Sequence, residues 1–349
     1  MFELSFVFRC GIIKFMNKRL FGLQDVSRAR NFIYGIAIVW IVFFHSGLRP
    51  ITELFGVIKS YGDCGVEIFF LLSGICLFYS YDNDRNVLSF YKRRAAKILP
   101  PYIIVYGIVF LWLDIVSEFN VWQFLLDYSL LDFWLHGLGR APWFVAAIMV
   151  FYVAYPLIYN VFFGGGRLWK IPCLILTVAI AMVLLVKYCP HLNIFTVRIP
   201  IFIVGCALGK CVHGDCSVKL WQLLLIALLF VGSVILFMYT EIWWIRNVFY
   251  MLLSLVLILI LSQAYMFLVR FVPIIRKSFL GKLTLEIYLC HEKIQESLLY
   301  VLRWCGISVE FFDRWYQCLC IVLTIVSAYV VNKAVFLLFK RRKKEPING

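Results

Sequence analysis

Charge is scarce in this chain. Of its 349 residues only 15% are Asp, Glu, Lys or Arg, where a soluble domain carries about a quarter. Set against 63% hydrophobic residues, that scarcity excludes an ordinary soluble fold. Paired cysteine motifs are also missing. Cys76, Cys173, Cys206, Cys290, Cys318 and Cys320 lie within or at the edges of apolar runs. Cys211 and Cys216 flank His213, but no CxxC pair or second cluster completes a zinc site. Buried free cysteine behaves as a small apolar residue, so the sequence assigns no metal. No cleavable-looking signal peptide opens the chain, and no solenoid repeat, inverted repeat or separate soluble domain interrupts it. The net charge of +15 does not mark a nucleic-acid binder. The basic residues fall between apolar runs, as the positive-inside rule predicts.

What is present is a series of membrane-length apolar runs. The pattern predicts an all-α, polytopic transmembrane helical bundle of about ten spans, near 32–48, 64–81, 98–117, 142–163, 171–187, 198–212, 218–238, 247–271, 283–302 and 315–339. With the N-terminus placed in the cytoplasm, 24 Lys and Arg fall inside and 8 outside, with Lys293 and Lys333 within spans. That asymmetry predicts cytoplasmic N- and C-termini and an even number of spans. The loop 118–140, with Glu118, Asp127 and Asp132, suits the outer face. Residues 1–30 read as a basic cytoplasmic arm, either an interfacial amphipathic helix or a disordered segment. Residues 31–340 form the transmembrane domain, and 341–349 a basic tail.

Ionisable side chains inside apolar runs are costly in hydrocarbon, and each is a candidate for function. His45 ends the run Tyr34–His45, and His291 lies in Gly281–His291. Between them Glu67 stands in Gly65–Gly74, GVEIFFLLSG. The topology puts His45 and Glu67 at similar depth on consecutive antiparallel helices. Two readings fit. In one, a carboxylate orients a catalytic histidine; in the other, a structural pair satisfies two buried polar groups. Ser73 and Gly74 either allow close helix packing or leave room for a slender acyl or pantetheine chain. His291 has Glu286 and Tyr288 around it and reads as a site residue or a hydrogen bond between helices. Lys92, Arg93, Arg94 and Lys97 precede Pro100 and Pro101 at an expected cytoplasmic helix start. They read as a membrane anchor or as an electrostatic funnel for a phosphate-rich ligand.

Taken together, these segments resemble the acyltransferase-3 family of bacterial integral-membrane acyltransferases. The matching pieces run in order. They are the first span ending in His45, Gly65–Gly74, Phe90–Pro100, the aromatic Pro142–Pro156, Arg198–Gly209 and Gly281–His291. The chain departs from the family's pattern at Tyr34, where many members carry Arg, at Lys97 in place of a second Arg, and at Ile148 in place of Glu. Arg30, one turn before Tyr34, reaches toward the same face.

The resemblance implies an O-acetyltransferase-like enzyme with no permanently bound cofactor. It implies transfer of an acyl group, commonly acetyl, from cytoplasmic acyl-CoA to a sugar hydroxyl of the cell envelope, in a polysaccharide or a lipid-linked acceptor. It places the protein in the inner membrane, in contact with the lipid bilayer. His45 is then the general base and Glu67 its orienter. Arg93, Arg94 and Lys97, with Ser73 and Gly74, receive the CoA. Arg30, Arg198, His291 and Trp143 serve as substrate-facing or structural polar residues. The competing reading from another class is a proton-coupled transporter or flippase that uses His45, Glu67 and His291 as a relay. A scaffold or sensor without turnover is a third.

Overall fold

The computed structural model describes residues 19–116, 120–165, 169–240 and 243–340. The first eighteen residues of the expected arm and the basic tail 341–349 lie outside the described residues. The long elements are α1 (Gln24–His45), α2 (Glu53–Ser60), α3 (Cys64–Asp82), α4 (Val87–Val116), α5 (Val121–Tyr128), α6 (Leu131–His136), α7 (Trp143–Phe163), α8 (Lys170–Tyr188), α9 (Ile199–His213), α10 (Leu220–Tyr239), α11 (Trp243–Phe271), α12 (Thr284–Trp304) and α13 (Arg314–Val335). Two short strands, β1 (Arg19–Gly22) and β2 (Ser217–Lys219), pair antiparallel.

This is an all-α polytopic bundle. Among the described residues, nine helices are long and apolar enough to cross a membrane. The tenth expected span, α12, has spanning length but carries Glu286, Glu292, Lys293, Glu296 and Arg303. Its charge, rather than its length, removes it from the apolar set.

Two expectations shift. The segment 82–97, read as a loop before a helix closed by Pro100 and Pro101, is helical from Val87, and α4 runs through both prolines. Asn86 starts it, its side chain accepting from the Ser89 N–H at 2.9 Å. Each proline deletes one ladder donor, a loss that a long helix packed against neighbours tolerates in a membrane protein. The second shift is at the arm, where residues 19–30 are a strand and the first turns of α1, neither disordered nor a separate interfacial helix. Gln24 Nε2 donates to Asp215 at 2.6 Å and the Leu23 N–H to the Cys216 carbonyl at 2.9 Å, which fixes this end.

The described chain forms two compact units. The first takes residues within Met1–Tyr34, Cys64–Asn83 and Pro200–Ser278. Its central helix is α3, with 83% of its apolar window buried, whereas α10 buries only 6% and turns its side chains outward. Small residues let α3 meet α9 closely. A Cβ on Gly74 would sit 2.6 Å from the Phe202 carbonyl and 2.7 Å from the Cys206 nitrogen, so the two backbones touch where side chains are absent. Gly205 and Gly209 of α9 face Leu71 and Phe78 of α3 in the same way.

The second unit takes Gly35–Asp63, Asp84–Ile199 and Phe279–Gly349. Here α7 is the buried helix, at 61% of its apolar window, and α8 buries none of its own. Helix α12 lies against α4 and α13. Asn332 of α13 donates to Glu286 of α12 at 2.7 Å, and the Tyr316 hydroxyl donates to the Gln295 carbonyl. The short α2 braces the end of α1. Trp40 Nε1 donates to the Ile58 carbonyl at 2.6 Å, and Lys59 Nζ to the Ser46 and Leu48 carbonyls at 2.6 and 2.8 Å. Burial lowers the pKa of Lys59, yet two carbonyl acceptors hold its charge beside the chain that leaves His45.

Candidate active site

The site forms in the second unit, where the last residue of α1 meets one face of α12. His45 Nδ1 lies 2.8 Å from Glu292 Oε1. Their side chains are 36% and 46% exposed, so a substrate can reach them. The His45 and His291 rings lie 5.2 Å apart, edge to face. His291 and Glu292 lie three and four residues after Tyr288, which makes each of them a neighbour of Tyr288 on the surface of α12. Tyr288 stands 5.6 Å from the His291 ring and 5.0 Å from Phe144 at the start of α7.

Local chemistry sets both imidazoles. A carboxylate only accepts, so Nδ1 of His45 carries the proton given to Glu292 and Nε2 keeps a lone pair. His291 is 1% exposed. Its Nδ1 lies 2.7 Å from the Tyr288 carbonyl, which fixes the proton there too. Its Nε2 is buried and has no hydrogen-bond partner among the described residues.

A second polar group lies in the same unit. Arg198 is 6% exposed, and its Nη2 meets Asp63 Oδ2 at 2.6 Å. A buried cation needs such a partner, since removing one member of a buried pair costs about 3–5 kcal/mol. The guanidinium also lies 5.5 Å from the centre of the Trp143 ring. Trp143 opens α7 beside Phe144, which touches Tyr288. The Arg198–Trp143 pair is thereby linked through α7 to Tyr288 of α12, the neighbour of His291 and Glu292.

Four of the expected site residues therefore belong to one neighbourhood: His45, His291, Arg198 and Trp143. Arg93, Arg94 and Lys97 lie on α4 in the same unit, and Arg30, Glu67, Ser73 and Gly74 belong to the first unit. Glu67 lies in the first unit, buried at 3% exposure. The carboxylate found on His45 Nδ1 is that of Glu292. In the first unit Ser73 is half-buried, and the room left by Gly74 is taken up by the α9 backbone. Arg30 Nη1 lies 3.9 Å from Cys76 Sγ.

In the basic segment of the second unit, Arg93 meets Asp84 at 2.6 Å and Ser89 at 2.9 Å. That contact holds the exposed Asp84 carboxyl below the usual carboxylate range. Arg94 is half-buried over the Phe90 and Tyr152 rings at 5.5 and 5.8 Å. Lys97 is exposed on α4, one turn beyond Arg93. Arg93 and Lys97 thus share an exposed face of α4, and Arg94 is turned from it toward the aromatic rings.

Sequence reasoning passed over Glu292 and Asp63. Glu292 carried a signal, for it directly follows His291 and lies one helical turn from Tyr288. Asp63 carried none, because its partner Arg198 is 135 residues away.

Comparison with known proteins bears on this geometry. No solved structure matches the chain. It is similar to a protein named acyltransferase MdmB from Streptomyces mycarofaciens, at 30% identity over 115 residues. That alignment spans 30% of each protein. The family description "acyltransferase domain", of the acyltransferase-3 family, matches residues 31–333. Those bounds run from α1 through α13 and take in both histidines, and the chain belongs to the acyltransferase-3 family.

Proposed function

We propose that this membrane-embedded acyltransferase moves an acyl group, acetyl by preference, from cytoplasmic acyl-CoA to a hydroxyl of a cell-envelope glycan or lipid-linked sugar. The observation that carries the reading is the 2.8 Å contact between His45 and Glu292 at a reachable point of the second unit. In this reaction the Nε2 lone pair of His45 takes the proton of the acceptor hydroxyl. The oxygen attacks the thioester carbonyl, the new C–O bond forms and the C–S bond breaks. The CoA thiolate leaves and receives the proton from the imidazolium. Glu292 holds the imidazole in the required tautomer and stabilises its charged form, as a carboxylate does in a catalytic triad.

Arg93, Arg94 and Lys97 of α4 meet the donor's phosphates from the cytoplasmic side, with Arg93 exchanging Asp84 for phosphate. Arg198 and Trp143 line the acceptor side. Both termini are cytoplasmic and the membrane is the inner one, in line with the uneven distribution of Lys and Arg.

The test is transfer from radiolabelled acetyl-CoA in proteoliposomes or membranes holding equal amounts of protein. His45→Ala is expected to lower the rate about 10²–10⁴-fold while insertion is unchanged. Near wild-type transfer by that variant removes His45 from the chemistry.

A further inference from the structure

We infer that His45, His291 and Glu292 form a site for a divalent transition metal of the Zn²⁺ type, and that its occupation switches acyl transfer off. The inhibitory half rests on the base role given to His45 above; the binding half does not.

Three observations carry it. One ligand atom from each of the three side chains lies within 4.8 Å of the other two. His291 Nε2 is fully buried and has no hydrogen-bond partner among the described residues. A buried acceptor in that condition is uncommon and calls for an explanation. Thirdly, the opposite nitrogen of the same ring is already committed, at 2.7 Å, to the Tyr288 carbonyl. A histidine whose far N–H is fixed on a backbone carbonyl, with its near lone pair free, has the orientation of a metal-ligating histidine.

The donor set decides the kind of ion. Two imidazoles and one carboxylate suit Zn²⁺ and its neighbours, with a fourth position left for water. Mg²⁺ and Ca²⁺ prefer sets made wholly of oxygen. Metal–donor bonds of about 2.1 Å in tetrahedral geometry set two donors about 3.4 Å apart, so an ion draws the widest pair of the trio inward by on the order of 1 Å. His45 and Glu292 can follow, because both side chains are partly exposed and already 2.8 Å apart. The cysteines take no part. A bound ion occupies the imidazole lone pair or the carboxylate that orients it, so the metal and the acceptor proton compete for one site.

The measurement is equilibrium dialysis of the purified full chain in detergent against buffered Zn²⁺, followed by metal analysis. Co²⁺ serves as a second probe whose visible absorption reports coordination. One ion per chain is expected, undisplaced by millimolar Mg²⁺. His291→Asn, and separately Glu292→Gln, should weaken it at least about tenfold, since loss of an outer partner alone costs about 10–100-fold. An unchanged elution profile and melting point in either variant exclude misfolding as the cause. In the acetyl-CoA assay, wild-type transfer should fall on titration with Zn²⁺ and recover with a chelator.

Binding that survives both substitutions and disappears with Cys211→Ser and Cys216→Ser overturns the site. Transfer that rises with bound Zn²⁺ overturns the inhibitory role. A His45→Ala variant that still transfers yet has lost Zn²⁺ supports the metal site and refutes the base.

Discussion

At the scale of single residues, the proposed chemistry rests on the pair His45 and Glu292, in contact at 2.8 Å. Glu292→Gln keeps a hydrogen-bonding group beside Nδ1 but offers no negative charge to the imidazolium. Its amide can also turn a donor toward the ring and favour the wrong tautomer. Transfer is expected to fall about 10²-fold in kcat with little change in the KM for acyl-CoA. A loss confined to KM would make Glu292 part of donor binding. Arg93 gives the second residue-scale prediction. Its guanidinium is held by Asp84 at 2.6 Å, so an incoming phosphate must displace a carboxylate. Asp84→Asn removes the competitor and should lower the KM for acyl-CoA about twofold, as befits an exposed ion pair. An unchanged KM would separate Arg93 from the donor.

Among the elements, the contact of α3 with α9 is the sharpest case. Both helices are apolar and neither gains from a hydrophobic driving force inside lipid, so close backbone packing holds them together. Gly74→Ala forces a Cβ to within 2.6 Å of the Phe202 carbonyl and 2.7 Å of the Cys206 nitrogen. Neither is a flexible side-chain end, so the helices must separate. A cost of about 1–3 kcal/mol is expected, read as a lower melting point in detergent. Ser73→Ala, on the adjacent half-buried position, should stay within about 0.5 kcal/mol. Equal effects from the two would mean that α3 and α9 are not limited by close approach. The charged α12 shows the opposite compromise. It gives up apolar character to carry Glu286, His291 and Glu292, and recovers part of the cost through Asn332, which donates to Glu286 at 2.7 Å.

For the molecule as a whole, the open prediction is orientation. On the proposed orientation, α2 is expected on the outer face and the start of α4 in the cytoplasm. Cysteines introduced singly at Glu53 and Asn86, on a background without reactive native thiols, test this with a membrane-impermeant maleimide on intact cells. Glu53→Cys should label at once, and Asn86→Cys only after permeabilisation. The reverse pattern would invert the protein and with it the assignment of donor and acceptor faces.

The sequence by itself determined the class, the family and much of the helix count, because those depend on composition, run length and local motifs. Spans of about 20 apolar residues are legible without any contact being known. The end of α1 at His45 and the burial of the late His291 were legible too, since an ionisable group in an apolar run stands out by its cost. The partners of those groups were decided only by the tertiary structure. Depth along consecutive helices pointed to Glu67 for His45, and the fold supplied Glu292 from α12, 247 positions further along the chain. Asp63 reached Arg198 across 135 positions in the same way. Depth is one coordinate along the helix axis and follows from counting residues. Which helices are neighbours, and which way each is turned about its axis, depends on packing that no local run of sequence encodes.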